Sequence, residues 1–139
     1  MKTQRYRQQH EDILATAAII SDKLNHEAIS QDANEIRMLL SNLIGKLQYH
    51  LAIEDKFVYP NLLAYKEPKV VSTAQEFINE MGGIMKSIET YKLKWSNAHK
   101  IEAEPVDFIS ETQTILDKLI QRTEKENNEL YKIVDELKN

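Results

Sequence analysis

Between residues 36 and 57 the chain carries Ile36, Leu40, Leu43, Leu47, His50, Glu54 and Phe57, in alternating steps of four and three. That period turns one seam of a helix toward partner helices and is incompatible with the two-residue alternation of a strand. Two members of the seam are polar. Burying the imidazole of His50 and the carboxylate of Glu54 where leucine is expected costs free energy unless each finds a partner. A metal ion is one such partner; a protein ion pair is another.

Three further segments repeat the period. The first is predicted from about Thr3 to Asn25, with Tyr6, His10, Ile13, Ala17, Ile20 and Leu24 as its stripe. A polar connection follows over His26 to Gln31. The seam helix itself spans about Asp32 to Tyr59 and breaks at Pro60, with a further turn over Asn61 to Tyr65. Lys66, Glu67 and Pro68 turn the chain. The third helix covers about Lys69 to Ala98, striped by Val71, Ala74, Ile78, Met81, Met85, Ile88 and Trp95. Gly82 and Gly83 inside it suggest close helix packing, with a local distortion as the alternative. After a loop over His99 to Glu104, Pro105 suits a first-turn position. The last helix runs through Ile115, Leu119, Arg122, Glu126, Leu130, Ile133 and Leu137. With only three glycines and three prolines in 139 residues, connections must be short. The expected fold is all-α, an up-down-up-down antiparallel four-helix bundle forming one domain over residues 1–139.

Several functions are disfavoured at once. A net charge of -4 gives no electrostatic drive toward nucleic acid, and the basic start of Lys2, Arg5 and Arg7 is too sparse to supply one. The absence of cysteine removes disulfides, thiolate nucleophiles and thiolate metal sites. No apolar run reaches membrane-span length, and the start MKTQRYRQQHED has no signal-peptide core, so a cytoplasmic protein without membrane contact is expected. No phosphate loop or glycine-flanked serine supports an enzyme. His26 and His99 read as surface residues, Met81 and Met85 as core filler, and Tyr91 and Trp95 as core and end-cap aromatics.

The polar interruptions of the stripes share one height. They are His10, His50 with Glu54, and Arg122 with Glu126. Counted from the connections at about 1.5 Å per residue, His10 and His50 differ by only about 6 Å, and Met81 falls level with them. Histidine and carboxylate four apart lie on one helix face and can bind one ion; imidazole with carboxylate suits iron, zinc and related divalent metals.

The order of these parts resembles the hemerythrin family, in particular its bacterial HHE cation-binding domains. Gln9-His10-Glu11-Asp12-Ile13 matches the family's first histidine. The segment His50 to Pro60 resembles the second-helix motif, HxxxE with an aromatic-proline ending. Glu126 to Tyr131 resembles the end of the fourth-helix motif. The resemblance implies a bundle holding a non-haem iron centre, typically di-iron, with His10, His50, Glu54 and Glu126 as metal ligands. It implies a divalent metal as partner and, on a bound metal, a small diatomic ligand. The chain departs from the pattern where Met81, Met85 and Arg122 replace expected ligands.

Two readings of the layer follow. In one, two histidines and two carboxylates hold a single ion, in a sensory, regulatory or metal-binding module that is not a standard oxygen carrier. In the other, no metal binds. Arg122 then pairs with Glu54, Glu126 or both, the histidines are neutral, and the bundle is a protein-interaction module.

Overall fold

A computed structural model describes residues 3–137. Lys2, named above with the basic start, lies outside them. The helices are α1 (Gln4–Asp22), α2 (His26–Phe57), α3 (Tyr59–Leu63), α4 (Pro68–Lys94), α5 (Ala98–Ala103) and α6 (Pro105–Lys125), then a π-helical turn (Glu126–Leu130) and α7 (Tyr131–Glu136). Side-chain pairings fix the directions. On α1 and α2, His10 meets His50, Asp12 meets Lys46, and Lys23 meets Glu35. On α4 and α6, Glu80 meets Arg122, Tyr91 meets Thr112, and Lys94 meets Glu111. In each series one number rises as the other falls, so neighbours are antiparallel and the all-α bundle is as expected.

The connections are more helical than the sequence suggests. The expected linker over His26 to Gln31 is the first turn and a half of α2. Asn25 caps it, its side chain accepting from the Ala28 N–H at 2.8 Å. The backbone then breaks at Asp32 (φ -156°, ψ 72°), whose carboxylate accepts from the Glu35 N–H at 2.9 Å and restarts the helix. The expected loop over His99 to Glu104 is instead mostly α5. Asn97 caps it, accepting from Lys100 N–H at 2.9 Å, and Ile101 is buried against the main core. Polar residues favoured loops in the reading of both segments; here they act as caps.

Two apolar clusters fill the bundle. The larger runs from Ile13 and Leu47 to Trp95 and Phe108. The smaller gathers Val58, Tyr59, Leu62, Val70, Ala74, Phe77, Leu130 and Tyr131. Along every long helix the polar layer falls between them. On α4 the buried register is Val70, Ala74, Phe77, Met81, Ile88, Tyr91 and Trp95. The expected members Val71, Ile78 and Met85 are only half-buried. Phe57, the last expected seam residue, is 50% exposed, because α2 ends there and the turn at Val58 sends Tyr59 inward.

Gly82 and Gly83 do not serve close packing. Both are exposed, and a Cβ added at either would meet nothing within 4 Å. Gly82→Ala and Gly83→Ala are each expected to stabilise the fold by about 0.4–1 kcal/mol, read from the urea midpoint. A destabilisation at either position would mean that the helix needs the glycine's freedom.

Candidate metal centre

Four helical segments deliver the layer. His10 comes from α1, His50 and Glu54 from α2, Arg122 from α6, and Glu126 from the π turn; all five are buried. His10 Nε2 lies 3.0 Å from His50 Nε2 and 2.8 Å from Glu126 Oε1. His50 Nε2 is 3.6 Å from Glu126 Oε1 and 3.4 Å from Glu54 Oε1. His10, His50 and Glu126 thus form a tight three-donor group, with Glu54 alongside.

The outer faces of both imidazoles are held. His10 Nδ1 is 2.8 Å from Asn127 Oδ1, and His50 Nδ1 is 2.6 Å from Gln9 Oε1. An amide oxygen only accepts, so each Nδ1 carries a proton and each Nε2 points inward, where the neutral ring would present a lone pair. Two lone pairs 3.0 Å apart repel unless a cation lies between or beside them. A proton on His50 can serve as that cation in the metal-free protein. Burial alone would lower the pKa of His50, but the Glu126 and Glu54 carboxylates, 3.6 and 3.4 Å from its Nε2, outweigh it. They push the value up from 6.5 to about 9. The surroundings of this imidazole therefore favour its charged form over the neutral one expected for a metal-free layer.

Arg122 reaches inward and pairs with Glu126, one of its two expected carboxylate partners, and not with Glu54; it also finds partners that were not expected. Its Nε donates to Glu126 Oε2 at 2.7 Å, and one terminal nitrogen donates to Glu80 at 3.3 Å. The other donates to the Phe77 carbonyl at 2.9 Å and the Tyr59 hydroxyl at 3.2 Å, with the Phe77 ring 4.7 Å beneath. So α4 meets this guanidinium through Phe77 and Glu80, a turn before Met81. Glu126 shows the balance of these forces. Burial would raise its pKa, yet bonds to His10 and His50 and the Arg122 charge hold it well below the usual carboxylate range.

Glu54 is held instead by Tyr131, whose hydroxyl donates to Oε2 at 2.8 Å. The other oxygen, Oε1, accepts no hydrogen bond although it is fully buried. An orphaned buried carboxylate oxygen costs stability. It lies 3.4 Å from His50 Nε2. The spacing also fits. Donors about 2.1 Å from an ion and at right angles stand about 3 Å apart. His10, His50 and Glu126 are therefore spaced as a candidate site for a single divalent metal of the iron or zinc kind, with Glu54 beside His50.

Sequence reasoning missed Gln9, Asn127 and Tyr131. The first two read as ordinary polar neighbours of ligands. Tyr131 was hidden by periodicity. Five residues after Glu126, it belongs on a different face of an α-helix, but the π turn takes up the extra residue. Both side chains then reach one point, Tyr131 hydroxyl to Glu126 Oε1 at 3.5 Å. His26 and His99 are exposed, as expected. No helix among the described residues is long and apolar enough to cross a membrane.

The family model of the hemerythrin HHE cation-binding domain matches residues 1–134. Neither the curated proteins nor the solved structures contain a significant match to the chain.

Proposed function

Because the chain belongs to the hemerythrin HHE cation-binding family, we propose that it is a single-domain, non-enzymatic module holding one non-haem metal ion, with iron preferred. Its ligands are His10, His50, Glu54 and Glu126, and its role is sensory or regulatory. The observation that carries this reading is the convergence of two inward-facing imidazole nitrogens, 3.0 Å apart, beside the orphaned Glu54 Oε1. When bound, iron would supply a one-electron couple and affinity for a small diatomic molecule. Gln9 and Asn127 hold the imidazoles in the metal-binding tautomer.

Arg122 argues against oxygen carriage by a two-metal centre. Its bond to Glu126 Oε2 competes with an ion for that oxygen and so disfavours a bridge between two. A fixed guanidinium also repels a second divalent charge. The alternative, a metal-free interaction module, draws on the same residue. Arg122 with a protonated His50 already neutralises Glu54 and Glu126.

Elemental mass spectrometry separates the readings, on protein purified without a metal-affinity tag, before and after anaerobic iron(II) addition. One ion per chain is expected. Two would mean that Arg122 yields its place to a second ion. None in either state would select the metal-free module.

A further inference from the structure

The hydroxyl of Tyr131 lies close to all four proposed ligand residues. It lies 3.2 Å from His10 Nε2, 3.0 Å from His50 Nε2, 2.8 Å from Glu54 Oε2 and 3.5 Å from Glu126 Oε1. A phenol there has two physical meanings: it plugs the metal pocket, or it is a ligand.

The spacing of the other donors decides between them. A hydroxyl standing where the ion belongs would hold its neighbours at hydrogen-bond length, spreading adjacent ones to about 4 Å from each other. Instead His10 and His50 are 3.0 Å apart, His10 and Glu126 2.8 Å, and His50 and Glu126 3.6 Å. The hydroxyl therefore stands to one side of these donors, about as far from each as one corner of a coordination shell stands from the next.

Resting on the single-ion reading above, we propose that Tyr131 is a fifth protein ligand of the metal and binds through its phenolate oxygen. Charge supports this. Two carboxylates, one guanidinium and a divalent ion leave one surplus positive charge in a buried layer. A phenolate cancels it, and buried ions are tolerated when they are compensated. On coordination the phenol proton, now shared with Glu54 Oε2, leaves to solvent and the oxygen lone pair goes to the ion; nothing is oxidised or reduced. The ring is already fixed for the task. It stacks on His10 with centroids 5.1 Å apart, and the Arg7 guanidinium covers it at 5.5 Å. The π turn explains why the chain carries a surplus residue here, since without it Glu126 and Tyr131 could not face the same point.

The test uses the full chain, loaded anaerobically with iron(II) and then oxidised with ferricyanide. Resonance Raman spectra excited in the visible absorption are expected to show ring modes of an iron(III)-bound tyrosinate. Tyr131→Phe keeps the ring packing and is expected to lose those modes while still binding iron, at least about tenfold more weakly. Circular dichroism melting of both proteins checks that the variant is folded. Iron bound without tyrosinate modes in the unmodified chain would overturn the proposal and leave the single-ion reading standing. So would tighter binding by Tyr131→Phe, which would make the phenol a plug. No iron bound by either protein would overturn both.

Discussion

Arg122→Leu is expected to destabilise the metal-free protein by about 3–5 kcal/mol, among the largest losses any single side chain here could cause. The leucine fits the volume but strands a charge. Glu126 loses its 2.7 Å partner, and the Tyr59 hydroxyl and Phe77 carbonyl lose the donor that reaches them. Urea denaturation of both proteins measures the loss. Adding Glu126→Gln to the variant should recover much of it, because the stranded charge goes with its partner. A loss below about 1 kcal/mol would mean that the guanidinium is solvated, as exposed pairs are.

His50→Leu should remove metal uptake, weakening iron binding by at least about 100-fold, since a direct ligand matters no less than the neighbours that orient it. The same substitution carries a second signature in metal-free protein. The folded pKa of His50, about 9, lies above its ordinary 6.5. Its stabilisation is therefore fully present below pH 6.5 and is lost as pH rises through about 9. The loss is on the order of 3 kcal/mol. Urea midpoints of the metal-free protein should fall across that window, and those of His50→Leu should not. A flat profile in the unmodified chain would mean that the imidazole is neutral and that the layer is balanced by Arg122 alone. Metal binding has the opposite slope with pH, because the ion must displace this proton. Comparing the two slopes shows which cation the layer holds.

The four long helices were legible because each keeps its three-and-four stripe over several turns. Pro60 and Pro105 marked real boundaries, one at the break after α2 and one at the start of α6. Short helices were not legible. The six residues of α5 are too few to show a period, and its single buried residue, Ile101, reads as an isolated apolar one. The register of α4 was read one position off at both Val70 and Phe77, because Val70 and Val71 are adjacent, as are Phe77 and Ile78. In the polar layer, His10, His50, Glu54, Arg122 and Glu126 stood out because each breaks an apolar stripe. Tyr131 could not stand out, since its aromatic ring is at home in a core and its height depends on a π turn that no residue pattern announces. Gln9 and Asn127 were hidden for a different reason. Their role lies in which atom of a neighbour they hold, and that exists only once α1, α2 and the π turn have packed.

The layer draws on both ends of the chain. His10 bonds Asn127 across 117 positions, and close by Thr3 bonds Asp135 across 132. Contacts so distant along the sequence form late, because the intervening loop must be closed before they give any return. During synthesis the first two helices can pair while the last is still being made, but His10 and His50 then face each other with neither Glu126 nor Tyr131 beside them. A nascent chain would hold any ion weakly until its final helix docks. Tight ion binding would then follow the docking of the segment that carries Glu126 and Tyr131, and the ion would have no part in starting the bundle's assembly.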